Sequence, residues 1–135
     1  MSEICQDPLM EAALAARSMA YAPYSRFTVG AALRTAEGTV YAGCNVENAA
    51  YPEGTCAEAG AIAAMALAGG RRIAEIVVAG GGAAPCTPCG GCRQKLREFG
   101  TAETIVHIVD AAGATLLCTS LAALLPHSFG PENMV

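Results

Sequence analysis

Thr55-Cys56-Ala57-Glu58 and Pro88-Cys89-Gly90-Gly91-Cys92 are the two stretches around which the chain is organised. Each opens a helical run: Cys56 to Leu67, built of small residues and stopped by Gly69-Gly70, and Cys89 to Phe99, closed by Gly100. In strand-loop-helix units the helix N-termini emerge at one end of the sheet, so Cys56 can meet Cys89 and Cys92 across a long sequence gap. Cys89 and Cys92 stand at i and i+3, one turn apart on one helical face, so both sulfurs can reach one ion. Helix dipoles pointing at these thiols favour their deprotonated, metal-binding form. Three such ligands suit Zn²⁺, whose open fourth position takes a water and lowers its pKa to about 7. Glu58, two residues after Cys56, then stands beside the metal as a proton carrier rather than a ligand.

Other readings of the same cysteines are weaker. Cys86-Thr87-Pro88-Cys89 has the same spacing, but Pro88 falls inside it, whereas Arg93-Gln94-Lys95-Leu96 continues a helix from Cys89 and Cys92. A closed structural zinc site needs a fourth ligand, which Cys86 or Cys44 could supply, and leaves Glu58 without a task. A redox pair at Cys-Gly-Gly-Cys leaves both Cys56 and Glu58 unexplained.

At 135 residues the sequence reads as a single domain, 1–135, with room for one core. Apolar residues make up 53% and charged residues 15%, a surplus that predicts buried subunit interfaces. The net charge of −4 argues against a nucleic-acid polymer as partner and favours a small substrate. The longest apolar run, Ala61 to Ala68, is far too short to span a bilayer, and the first residues carry no signal-peptide pattern. Seven cysteines, an odd number, suit metal thiolates in a reduced, cytoplasmic protein better than a disulfide scaffold. Cys5, Cys44, Cys86 and Cys118 read as small buried or loop thiols, and His107 as a packed or hydrogen-bonded core histidine.

Outward from the two motifs, Leu9 to Met19 has helical spacing after Asp7-Pro8, an N-cap and first-turn proline. Phe27 to Arg34 and Thr39 to Val46 read as a hairpin turning at Ala36-Glu37-Gly38. Ile73 to Gly80 is a buried β-branched strand, Thr104 to Val109 another, and Ala114 to Cys118 its antiparallel neighbour. Ser120 caps a short helix, Leu121 to Leu125. The order α-β-β-α-β-α-β-β-α predicts a three-layer α/β/α sandwich with a mixed five-stranded sheet.

At this point the chain resembles the small homotetrameric, zinc-dependent cytidine deaminases of pyrimidine salvage. The resemblance runs through Tyr24-Ser25-Arg26-Phe27-Thr28-Val29-Gly30, Gly43-Cys44-Asn45-Val46-Glu47-Asn48-Ala49, Tyr51-Pro52-Glu53-Gly54-Thr55-Cys56-Ala57-Glu58, Pro88-Cys89-Gly90-Gly91-Cys92-Arg93-Gln94, and Leu124-Leu125-Pro126 with Phe129-Gly130-Pro131. It implies one Zn²⁺ per chain on Cys56, Cys89 and Cys92, with Glu58 as catalytic proton shuttle. The implied reaction is hydrolytic deamination of free cytidine and 2′-deoxycytidine at C4, giving uridine or deoxyuridine plus ammonia. Asn45 and Glu47 match the positions that bind the sugar hydroxyls, and i, i+2 spacing on a strand does put both on one side. Phe27 matches a residue packing on the base, and Ala57 one whose backbone contacts it. Phe129 and Tyr51 match positions presented to a neighbouring subunit, so the resemblance implies a tetramer with shared active sites.

A blasticidin-type deaminase shares the zinc core but is not expected to keep Asn45 and Glu47; a zinc-stabilised binding module without turnover is the rival from another class. Many relatives follow Cys-Ala-Glu with Arg, where this chain has Ala59. Arg93, backbone N–H groups or helix dipoles must then offset the charge of three thiolates, with an expected effect on metal affinity or pH optimum.

Overall fold

The computed structural model describes residues 7–135, so the N-terminal segment carrying Cys5 lies outside it. The first helix, α1 (Pro8–Arg17), starts where Asp7 accepts the Leu9 N–H at 2.9 Å and Pro8 takes the first turn. It is followed by strands β1 (Gly30–Thr35) and β2 (Val40–Cys44), helix α2 (Ala57–Leu67), strand β3 (Ile73–Ala79) and helix α3 (Gly90–Phe99). Strands β4 (Ile105–Val109) and β5 (Thr115–Ser120) and the four-residue α4 (Leu121–Leu124) complete the chain, with single 3₁₀ turns at Tyr51–Glu53 and Pro131–Met134.

The five strands form one mixed sheet in the order β2-β1-β3-β4-β5. The β3–β4 pair is parallel, joined across α3, and the remaining pairs are antiparallel. Alternation along the central strands builds two cores. Ala31 and Leu33, Ile76 and Val78, and Val106 and Ile108 face α2, α3 and α4, meeting Ala61, Met65, Leu96 and Leu121. Ala32, Val77, Ala79 and Val109 face the other way, onto Leu9, Met10 and Ala13 of α1. The chain is thus the expected α/β/α sandwich.

Two glycines set how closely the layers approach. A Cβ on Gly30 would lie 2.2 Å from the Ala13 carbonyl oxygen, and one on Gly43 would lie 2.3 Å from the Ala61 amide nitrogen. Only hydrogen fits at either place, so α1 rests directly on β1 and the alanine-rich α2 directly on β2.

The structure adjusts two expected strands. The first begins at Gly30 rather than Phe27, and the second stops at Cys44 rather than Val46. Arg26 has φ 63°, a left-handed turn that no strand tolerates, and Asn45 to Glu47 is held by single bridges of Val46 to Tyr21 and to Thr55. Both departures lie at one end of the sheet, where register aligns Cys44, Gly30, Ala79 and Val109 in a row. The segments leading to Cys56 and Cys89 leave from that same end.

His107 is buried on the α1 side, its Nε2 3.1 Å from Glu75 Oε1, and Glu75 in turn accepts from Arg34 at 2.5 Å. Arg34 also pairs with Asp7, so one polar chain ties the α1 cap to three strands. Among the described residues no helix is long and apolar enough to cross a membrane.

Candidate active site

Cys56 and Cys89 occupy the N-cap positions of α2 and α3, both with extended backbone, and Cys92 sits one turn into α3. The side-chain ligand atoms of Cys56, Cys89 and Cys92 all lie within 4.8 Å of one another. The converging group contains Cys92 and not Cys86, because α3 continues past Cys92 while the backbone from Cys86 to Pro88 is irregular. The N–H groups of Cys92 and Gly91 face the Cys89 sulfur and hold its pKa below the ordinary thiol value. Burial pushes the Cys56 and Cys92 thiols upward, and the negative charge of their neighbours, Glu58 included, adds to the rise. Thiols this close resist joint ionisation unless a cation neutralises them. The donor set is therefore one that a thiophilic dication of tetrahedral preference fits.

Ala59 places no cation over these sulfurs, and Arg93 is committed elsewhere. Its guanidinium donates to the Pro88 and Leu124 carbonyls, each at 2.7 Å. Among the expected sources of charge compensation, backbone N–H groups at the start of α3 are the ones turned toward sulfur.

Glu58 lies in the first turn of α2 and is 4% exposed, with Oε1 3.7 Å from the Cys92 sulfur. Burial raises its pKa above the usual carboxylate value. Together with Cys56, Cys89 and Ala57 it lines a cavity of about 330 Å³ whose other walls include Phe27, Asn45, Glu47, Tyr51, Cys86 and Thr87. That volume is at the lower end for small-molecule sites. A second cavity of about 380 Å³ adjoins it, sharing Glu47, Tyr51 and Gly54 and adding Tyr24, Ser25 and Asn48.

Asn45 and Glu47 flank this cavity and also build it. The Asn45 carboxamide accepts from the Val29 N–H at 2.9 Å and donates to the Phe27 carbonyl at 2.8 Å. It thereby adds to the backbone bond from the Asn45 N–H to the Val29 carbonyl, 3.1 Å, where β1 has not yet begun. The Glu47 carboxylate accepts from the Tyr24 N–H at 2.9 Å, the Ser25 N–H at 3.1 Å and the Ser25 hydroxyl. The Ser25 hydroxyl and amide, followed by the Tyr24 amide, hold the Glu47 carboxyl below its ordinary pKa. A carboxylate and a carboxamide each have more hydrogen-bonding sites than these bonds use, so both keep capacity for a ligand.

Val46 exchanges backbone hydrogen bonds of 3.0 and 2.9 Å with Thr55, tying the Asn45–Glu47 segment to the one that delivers Cys56. Phe27, Tyr51 and Ala57 are thus brought to the same cavity as the thiols. Phe129 is not: its side chain is exposed, and it lies on the C-terminal tail against α3. Sequence reasoning gave Thr87 no part in this cavity, gave Cys86 only that of a possible fourth ligand, and gave Ser25 no part in the adjoining cavity. The available signal for Ser25 was its place immediately before the turn into Phe27.

An α/β enzyme frame carrying a zinc site at two helix N-termini is the class that these features define. The family described as "Cytidine and deoxycytidylate deaminase zinc-binding region" matches residues 4–108, and the chain belongs to it. A cytidine deaminase of Sporosarcina psychrophila is 40% identical over 119 residues, spanning 88% of this chain and 87% of its own. One from Mycobacterium tuberculosis is 37% identical over 135 residues, 99% of this chain and 96% of its own. The crystal structure of a cytidine deaminase from Burkholderia pseudomallei superimposes with a TM-score of 0.84 at 47% identity, covering 90% of this chain and 96% of that one.

Proposed function

We propose that this chain, acting as one domain over residues 1–135, hydrolyses free cytidine and 2′-deoxycytidine to uridine and 2′-deoxyuridine with release of ammonia. The observation that carries the reading is the buried Glu58 carboxyl beside three converging thiols, in a cavity that also holds Asn45 and Glu47. Cys56, Cys89 and Cys92 would hold one Zn²⁺, which when bound supplies a Lewis acid that lowers the pKa of water at its open position.

The chain's own residues supply the rest. Glu58 takes a proton from the attacking water, delivers one to N3 of the base, and then helps the exocyclic amine leave as ammonia. Phe27 packs on the base, and the Ala57 backbone contacts it. Asn45 donates to, and Glu47 accepts from, the sugar hydroxyls. These sugar contacts favour a nucleoside over a blasticidin-type substrate, and the acidic net charge disfavours a polynucleotide. Phe129 reaches the cavity of a neighbouring copy in a homotetramer, with Tyr51 beside the same junction. All six described cysteines are free thiols, which suits a cytoplasmic setting.

The direct test is ammonia release from cytidine, with Glu58→Gln as control. Turnover should fall by about 10² to 10⁴ in the variant while one zinc per chain is retained. A wild-type chain that retains zinc yet releases no ammonia from cytidine refutes the enzyme reading.

A further inference from the structure

After α4 the backbone has one short 3₁₀ turn, and side chains of α3 hold the chain just before that turn and within it. Gln94 Nε2 donates to the Phe129 carbonyl at 3.0 Å, and Arg97 Nε donates to the Ser128 hydroxyl at 2.8 Å. The other arm of Arg97 meets Glu132 at 2.5 Å. Gly130 makes room for this grip, since a Cβ there would lie 2.3 Å from Arg97 Nη2. Upstream, His127 is held at φ 52°, a left-handed conformation that a non-glycine residue keeps only when its surroundings impose it. The backbone is therefore pinned before, at and after Phe129, while the Phe129 ring remains 57% exposed.

Ordering an apolar ring in water gains a single chain nothing. Fixing its backbone makes sense only if the ring's direction matters to another surface. The Glu132 pair is largely in solvent and contributes little, so the bonds to Ser128 and to the Phe129 carbonyl carry the orientation. Gln94 and Arg97 lie on the same helix as Cys92, so the grip on the tail and the thiol site share one rigid element.

We propose that Gln94 and Arg97 are positioning residues that aim Phe129 into the nucleoside cavity of a second copy of this chain. The inference rests on the shared-site reading above, and adds that the aim is set by α3 rather than by the tail itself. Its consequence is that substrate affinity in one subunit depends on two polar side chains of another that never touch the nucleoside.

The test is a double-mutant cycle on steady-state cytidine kinetics, using Arg97→Ala, Gln94→Ala, Phe129→Ala and the two doubles with Phe129→Ala. Phe129→Ala should raise KM, and Arg97→Ala and Gln94→Ala should each raise it about three- to tenfold with kcat within about twofold. In the doubles the effect should not exceed that of Phe129→Ala alone, because a ring already absent cannot be misaimed. Arg97→Lys, which keeps one donor, should recover part of the affinity. Gln94 is exposed, so Gln94→Ala tests the idea even if Arg97→Ala folds poorly. An unchanged KM in Gln94→Ala, or effects that add fully in the doubles, overturns the positioning role while leaving the shared site intact. An unchanged KM in Phe129→Ala overturns the shared-site reading itself, and this inference with it.

Discussion

Ser25 is the residue whose removal separates sugar binding from chemistry. Its hydroxyl and amide both reach the Glu47 carboxylate, while Ser25 itself lines the adjoining cavity and not the one that holds Glu58, Cys56 and Cys89. Ser25→Ala should raise the KM for cytidine about three- to tenfold through a less firmly held Glu47, with kcat little altered. Equal loss in kcat and in kcat/KM would show that the hydroxyl acts on the reaction step instead. At this scale the sequence told a great deal about the thiols and little about Ser25. Cys89 and Cys92 are one helical turn apart, so their meeting follows from local geometry. Ser25 and Glu47 are joined across 22 positions by the turn at Arg26, and no local periodicity encodes that turn. Glu58 was legible for a third reason: a carboxylate two residues from a thiol ligand must be paid for by a function if it is buried.

The cap of α1 offers a test at the scale of an element. Asp7 both accepts the Leu9 N–H and pairs with Arg34, whose guanidinium holds the Asp7 carboxyl below its ordinary value of 3.8. A depressed folded pKa means that the charged pair stabilises fully above the unfolded value and is lost as pH falls through the lower folded one. Asn caps a helix nearly as well as Asp, so Asp7→Asn removes the charge and leaves the cap. Near neutral pH the variant should be less stable in urea by about 1 kcal/mol, and the gap should close as pH drops below about 4. A gap that stays constant from about pH 7 to about pH 2 would falsify the ionic contribution. Asp7 was readable as a cap because capping is local, whereas its bond to Arg34 spans 27 positions. The same distinction explains the sheet. Each strand announced itself by composition, yet of the order β2-β1-β3-β4-β5 only the β1–β2 and β4–β5 neighbours were legible. β1 opens on the small residues Gly30-Ala31-Ala32 and pairs on both sides, and its second neighbour, β3, is decided by burial against α1 and α2 rather than by its own sequence.

The whole molecule has an apolar surplus that one copy does not bury. Tyr24, Phe27, Tyr51 and Phe129 remain between 45% and 76% exposed, and the first three line the two adjoining cavities. Tyr24 and Tyr51 meet edge to face, with ring centroids 6.1 Å apart, giving the second cavity a preformed aromatic wall. Isolated apolar residues on a surface need no explanation, but aromatic rings gathered at the mouth of a functional cavity mark an interaction site. If that site is another copy of the chain, folding, assembly and turnover are linked by mass action, because a partner that binds only the folded state raises its apparent stability with concentration. Specific activity on cytidine should then fall when the protein is diluted through its dissociation constant. The thermal midpoint should fall over the same range, and light scattering should report the mass dropping from that of a tetramer. Phe129→Ala should move all three transitions to higher protein concentration. A chain that light scattering shows to be monomeric at full specific activity, with a thermal midpoint independent of concentration, would mean that each cavity works alone and that the exposed aromatics have some other partner.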